Sequence, residues 1–268
     1  MVLLMKVNEK TIWITGASSG IGRALAVNLS RCGARMILSA RSVERLEDCR
    51  QACAYPDRHV VLPLDLADPA SLQEASRIAL EKCEAIDILI NNGGVGQRSF
   101  VVDTRLEVDR RIMEINFFGA VALTKLVLPS MLSRKLGHIV VISSVIGKLG
   151  TPYRAAYAAS KHALHGFFDS LRAELWDQGI RVTMICPGFV RTNISINALK
   201  GDGSTFGSMD AAQASGMDPE VCAEKIVQAV EAERNEVYTA GGREKLGVYL
   251  QRFVPDLFAR IIRKTKVR

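Results

Sequence analysis

A short apolar, β-branched run occupies residues 11–15, and a few residues later a helix-period pattern opens through Ala24, Leu25, Val27 and Leu29. The same pairing recurs down the chain. It predicts strands at 35–40, 59–62 and 86–91, with helices at 42–54 and 70–82 between them. Further on come a long helix over 112–132, a strand at 138–143, a helix carrying Tyr157, a strand at 181–186, a helix near Pro219 and a last strand at 236–238. Strands alternating with helices imply right-handed βαβ units around a parallel sheet. The predicted fold is therefore α/β and doubly wound (Rossmann-like), with about seven strands and helices on both faces. No internal repeat or low-complexity linker interrupts the pattern, so residues 1–242 read as one domain and 243–268 as an appended extension.

Composition narrows the class. The chain has 268 residues, 48% of them hydrophobic, enough for one large continuous core. No unbroken apolar run approaches the roughly 20 residues that span a bilayer. Val2, Leu3 and Leu4 are interrupted too soon by Lys6 and Glu9 to resemble an export signal. The six cysteines are scattered without metal-ligand spacing, and although Cys49 and Cys53 share a helical face, no histidine cluster joins them. The expectation is an intracellular, reducing compartment, cytoplasmic or on a membrane facing the cytoplasm, and no metal site.

Two motifs carry candidate chemistry. Gly16, Gly20 and Gly22, with Ser18, Ser19 and Ile21 among them, lie between the first strand and the first helix. Glycine there permits a sharp turn and lets the backbone approach a pyrophosphate, whose charge faces the free N–H groups of the helix start. The spacing Gly-x-x-x-Gly-x-Gly departs from the common Gly-x-Gly-x-x-Gly fingerprint while keeping its physics. The second motif is Tyr157 and Lys161, one helical turn apart, preceded by Ser144. A cation beside a phenol stabilises the phenolate and makes acid–base chemistry accessible near neutral pH.

Thr15 to Gly22 (TGASSGIG), Asn91 to Gly94, Asn116, Ser144, Tyr157, Lys161 and Pro187-Gly188 together resemble the short-chain dehydrogenase/reductase family, over about residues 10–238. The thirteen positions from Ser144 to Tyr157 are part of that likeness. Asn91-Asn92-Gly93-Gly94, the run from 155 to 168 and the basic C-terminus look closest to the hydroxysteroid dehydrogenases and the dehydrogenase/reductase member 7 group.

The resemblance implies a nicotinamide cofactor held at Gly16, Ser18, Ser19, Gly20, Ile21 and Gly22. Asp65 and Leu66 would border its adenine, Asn92 and Gly93 the adenosine side, and Pro187, Gly188, Val190 and Thr192 the nicotinamide end. After the second strand, Ala40 and Arg41 stand where an acidic residue would favour NAD, and a guanidinium there suits the ribose phosphate of NADP(H). For catalysis, it implies that Tyr157 delivers a proton to a carbonyl oxygen that Ser144 positions. Lys161 would hold the cofactor ribose and lower the Tyr157 pKa, and Asn116 would hold a water that replenishes the proton. Ser143 is the rival to Ser144, and strand alternation points the two in opposite directions. His162 and His165 read as helix-surface or interface residues.

The segment 193–216 occupies the place of the family's substrate lid. It offers Ile194, Ile196, Leu199, Phe206 and Met209 and no arginine. The implied reaction is interconversion of a carbonyl and an alcohol on an apolar, steroid-, retinoid- or lipid-like substrate. A sensor or scaffold that binds NADPH without significant turnover is the alternative.

Between residues 243 and 268 eight Lys/Arg face two acidic residues, so most of the formal +7 is concentrated there. Leu257, Phe258, Ile261 and Ile262 recur at helical spacing among these charges. Peripheral membrane contact and packing on the domain are both consistent with that pattern. Aromatic residues do not interleave with the charges as nucleic-acid binding would favour, and no nucleic-acid partner is expected. The likeness also implies a homodimer or homotetramer, with Phe167, Phe168 and Leu171 available either to an interface or to the core.

Overall fold

The computed structural model describes residues 7–264. Leu3, Leu4, Lys6, Lys266 and Arg268, which entered the readings of the two termini, lie outside the described residues. Seven strands, β1 (Thr11–Thr15), β2 (Arg35–Ser39), β3 (Val60–Val61), β4 (Ile88–Asn91), β5 (Gly137–Ile142), β6 (Ile180–Pro187) and β7 (Glu236–Thr239), form one sheet in the order β3-β2-β1-β4-β5-β6-β7. Every pairing is parallel. The order reverses direction between β1 and β4, the switch point where sheets of this kind open a ligand crevice beyond the strand carboxyl ends.

Pleating sorts the strand side chains into two cores. Ile12, Ile14, Met36, Leu38, Ile88 and Ile90 face one side, under α1 (Gly20–Arg31), α2 (Val43–Ala52) and α8 (Pro219–Glu231). Trp13, Ile37, Leu89, Ile139 and Val141 face the other, under α3 (Pro69–Lys82), α5 (Gly119–Arg134) and α6 (Ala155–Leu175). Burial on both faces explains why the strands read as continuous apolar runs rather than alternating ones.

The helix expected over 112–132 begins earlier, as α4 (Leu106–Met113), and reaches α5 through a single π-helical stretch, Glu114–Phe118. The whole run, Leu106–Arg134, is long and apolar enough by composition to cross a membrane. Here Ile112, Leu123, Val127 and Met131 are fully buried against the rest of the fold, as in a core helix of a globular domain.

Of the residues offered to an interface, Phe168 and Leu171 are core, and Phe167 is half-buried with its ring edge-on to Phe117 at 6.2 Å. After β7 come α9 (Gly242–Phe253) and α10 (Pro255–Ile262). Phe258 buries against Val145, Ile146 and Leu149, whereas Leu246, Tyr249, Phe253, Leu257 and Ile261 stay exposed. The short α7 (Ala211–Ala214) lies within 193–216.

Phe168 anchors α6, and so Tyr157 and Lys161, to the sheet. Phe168→Ala is expected to lose about 3–5 kcal/mol of stability, read as a lower urea midpoint.

Candidate active site

A cavity of about 1120 Å³ opens along the carboxyl ends of β1, β2, β4, β5 and β6. The turn after β1 forms one end. Gly16 and Gly20 adopt left-handed backbone conformations, with φ of +67° and +55°. At Gly22 the need is space rather than conformation: a Cβ would lie 2.3 Å from the Gly16 carbonyl oxygen and 2.5 Å from the Asn92 side-chain nitrogen. Thr15, absent from the sequence-based set, ties this turn to its neighbour. Its Oγ1 accepts from the backbone N–H groups of Asn92 and Gly93, each at 3.0 Å, while the Asn92 amide donates to the Thr15 carbonyl at 2.9 Å. Gly93 is the third residue of the Asn91-Asn92-Gly93-Gly94 run. A methyl there would come within 2.5 Å of the far end of Leu66, so the glycine lets Leu66 close on the turn.

Ser18, Ser19, Ile21, Asp65, Leu66, Pro187, Gly188, Val190 and Thr192 line the same cavity, and Gly22 supports it from behind. Arg41 lies at the far end, joined by Arg45, which sequence reasoning did not select. Ser42 caps α2 by accepting from the Arg45 N–H at 3.3 Å, which sets the two exposed guanidinium side chains at the start of one helix.

Ser144, Tyr157 and Lys161 line the other part of the cavity. Ser144 caps the turn Val145–Gly147, accepting from Ile146 N–H, and its hydroxyl donates to the Pro187 carbonyl at 3.3 Å. Ser143 turns the other way, its Oγ 3.0 Å from His165 Nε2. Lys161 is buried, donates to the Ile142 carbonyl at 2.8 Å and lies 5.8 Å from the centre of the Tyr157 ring. Burial pushes the Lys161 ammonium down to about 8. Burial raises the Tyr157 phenol above its ordinary value, and the opposing influences are first Arg154, then the Ser144 hydrogen bond, then Arg98. Lys161, expected to be the cation that lowers Tyr157, is not among them.

Asn116 sits in the π-helical stretch, behind the cavity wall. Its oxygen accepts from Val95 N–H at 2.8 Å, and its nitrogen donates to the Val95 carbonyl and to Ser160 Oγ, both at 3.0 Å. The extra residue of a π turn aims this side chain at the β4 loop and pins the loop to α6.

Several expectations change. His165 is buried rather than superficial, with Glu236 3.4 Å from Nδ1 and the Cys186 sulfur 3.7 Å from Nε2. These three form the one cluster with metal-ligand character among the described residues. Burial, then Glu236, pushes the Cys186 thiol up to about 12, and Glu236 pairs with Lys148 at 2.7 Å, so the group acts as a hydrogen-bond network behind Ser143. His162 is exposed and bonds its own helix at the Ala158 carbonyl.

In the segment 193–216, Ile194 and Leu199 reach the cavity, but Ile196, Phe206 and Met209 do not. Besides Arg41 and Arg45 the cavity holds four arginines that the sequence of 193–216 could not reveal, Arg98, Arg111, Arg154 and Arg243, all contributed from outside the segment. The C-terminal extension is part of the site, since Leu246, Leu250, Phe258 and Ile262 complete its wall.

A Rossmann-like sheet with a glycine turn at the switch point, and a Ser, Tyr and Lys converging beyond β5, defines a nucleotide-dependent oxidoreductase. The family model for short chain dehydrogenase matches residues 10–202. A bovine (Bos taurus) protein, dehydrogenase/reductase SDR family member 7B, is 43% identical over 263 residues, covering 96% of this chain and 81% of its own. Among solved structures, a short chain dehydrogenase/reductase from Burkholderia phymatum in complex with NAD aligns with a TM-score of 0.82 at 25% identity, covering 94% of this chain and 96% of its own. An alcohol dehydrogenase from the archaeon Thermococcus sibiricus, complexed with 5-hydroxy-NADP, aligns with a TM-score of 0.74 at 25% identity, covering 86% and 96%. The chain belongs to the short-chain dehydrogenase family, whose fold binds a nicotinamide cofactor.

The close approach at Gly22 makes a specific demand. Gly22→Ala is expected to weaken nicotinamide nucleotide binding by on the order of tenfold or more, because a backbone carbonyl and Asn92 must both move. Fluorescence titration of cofactor into the purified variant checks it.

Proposed function

We propose that the protein is an NADP(H)-dependent oxidoreductase interconverting a carbonyl and an alcohol on an apolar substrate. The observation that carries this reading is one cavity holding the glycine turn, the Arg41 and Arg45 guanidinium groups at one end, and Ser144, Tyr157 and Lys161 at the other. Gly22, where a Cβ would meet the Gly16 carbonyl and the Asn92 amide, lets the helix start pack closely on the glycine turn whose N–H groups suit a pyrophosphate. Arg41 and Arg45 suit a ribose phosphate, and no acidic side chain stands at the end of β2 to repel it.

A nicotinamide cofactor bound here supplies the hydride. Ser144 Oγ then donates a hydrogen bond to the substrate oxygen and fixes its position. The Tyr157 hydroxyl donates its proton to that oxygen as negative charge develops. Arg154 and Ser144 favour the phenolate left behind, Lys161, buried and charged at neutral pH, would hold the cofactor ribose, and Asn116 holds the wall in register. Val145, Ile146, Leu149, Leu199, Phe258 and Ile262 give the substrate end an apolar wall, which supports a lipophilic carbonyl.

The extension adds a location. The exposed Leu246, Tyr249, Phe253, Leu257 and Ile261 lie among Arg243, Lys245, Arg252, Arg260, Arg263 and Lys264, a pattern that suits peripheral contact with an anionic lipid surface beside the cavity mouth. The free cysteines, five of them buried, agree with a reducing compartment.

NADPH consumption against a panel of lipophilic ketones and aldehydes tests the reaction. Turnover should fall by at least about a hundredfold in Tyr157→Phe, and Arg41→Glu should raise KM for NADPH on the order of tenfold while sparing NADH. Tight NADPH binding without turnover on any member would favour the sensor or scaffold instead. For the surface, the triple variant Arg260→Glu, Arg263→Glu, Lys264→Glu should lose most co-sedimentation with phosphatidylserine vesicles, at about 1 kcal/mol per residue. Equal pelleting of parent and variant would rule the contact out.

A further inference from the structure

Arg98, from the loop after β4, Arg154, at the N-cap of α6, and Asp210, from the lid segment, meet at the cavity wall, each more than nine-tenths buried. Arg98 Nε donates to Asp210 Oδ2 at 2.7 Å, its Nη2 also reaches that carboxylate, and Arg154 Nη2 lies 3.3 Å from the same oxygen. The guanidinium of Arg154 also stacks over Phe189, 5.5 Å from the ring centre. Two buried cations thus meet one carboxylate, and Arg154 stands one helical turn before Tyr157. The cluster is tied to that turn through the backbone. Arg98 Nη1 donates to the Gln97 carbonyl at 2.7 Å, and the Gln97 side-chain oxygen accepts from the N–H groups of Ala156 and Tyr157 at 2.8 and 3.3 Å. Gln97 therefore caps α6, whose own N-cap residue makes no side-chain cap bond.

We propose that Arg98, Arg154 and Asp210 are positioning residues that steady the phenolate form of Tyr157 and hold the lid segment against the catalytic helix. The proposal rests on the reading of Tyr157 as the proton donor. The charged and titratable groups around Tyr157 fit it. Lys161 lies on its own helix, with Arg98, Arg154 and Asp210 at its first turn. Arg111 of α4 and Arg243 and Glu244 of α9 line the same cavity. Cys186 of β6 lies beyond Lys161 as a protonated thiol, and Lys148 is spent on Glu236. Glu244 accepts from the backbone N–H groups of Phe189 and Gly241. Asp256 and Arg260 of α10 are exposed. Burial, then Arg98, pushes the Arg154 guanidinium down to about 10, which leaves it cationic at neutral pH.

The charge bookkeeping gives opposite signs for opposite removals. A cation favours the phenolate, so Arg154→Gln should move the Tyr157 titration to higher pH; Asp210→Asn frees the guanidinium charge and should move it to lower pH, each by about one unit. Tyrosinate difference absorbance on the cofactor-bound protein, with Tyr157→Phe as the blank, reads this without any substrate. Absence of turnover would therefore count against the proposed reaction alone, and absence of the shifts against the cluster alone. Arg154→Lys and Arg98→Lys, which keep the charge, should restore the parental midpoint. Where Arg154→Gln does not fold, Arg98→Gln takes its place with the same expected sign, and the midpoint of the pH–rate profile for alcohol oxidation supplies a second measurement. Shifts in the same direction for the Arg and Asp variants, or no shift in either, would overturn the proposal.

Discussion

A parallel sheet covered by helices on both faces has no polar face to offer, so its chemistry is confined to the edge where the strands end. Everything at this site follows from that constraint. The turn after β1, the Arg41 corner after β2, the Asn92 loop after β4, Ser144 after β5 and Pro187 at the end of β6 all open onto one cavity because their strands are parallel and in register. The two apolar layers beneath hold that edge rigid. Thr15 shows how finely, since one hydroxyl receives two backbone donors from the neighbouring strand's loop.

The cavity is also where the fold accepts unfavourable burial. Lys161 and Arg154 are cations held down by desolvation, and Tyr157 is a phenol pushed up by it. Apolar residues of like volume would stabilise such positions. Ion pairing of Arg154 and Arg98 with Asp210 relieves part of the cost, and hydrogen bonds from Lys161 to the Ile142 carbonyl and from Arg98 to the Gln97 carbonyl relieve more. What the arrangement secures is a set of charges already oriented before a ligand arrives.

The order of strands and helices was legible because each strand is an apolar run of ordinary length and each helix keeps its period. Most boundaries moved by one or two residues, at caps such as Ser42 and at the short β3, while the helix expected from 112 starts six residues earlier at Leu106. The π-helical stretch at Asn116 was not legible, because the run that follows it, Gly119–Arg134, is apolar nearly all round and a shift of phase leaves no mark on it. The burial of His165 was hidden for a related reason. Its partners Cys186 and Glu236 come from β6 and β7, far along the chain, and no local pattern announces them.

The sequence by itself determined the sheet, the glycine turn, and the Ser144, Tyr157 and Lys161 constellation, because these depend on local periodicity and short spacings that the chain displays directly. Tertiary structure alone decided that Arg98, Arg154 and Asp210, as much as 112 positions apart, share one buried carboxylate. It also decided that the basic extension forms part of the cavity wall rather than standing apart from it. Charge in a protein acts through space and through the depth of its burial, and neither distance nor depth is written in the order of residues.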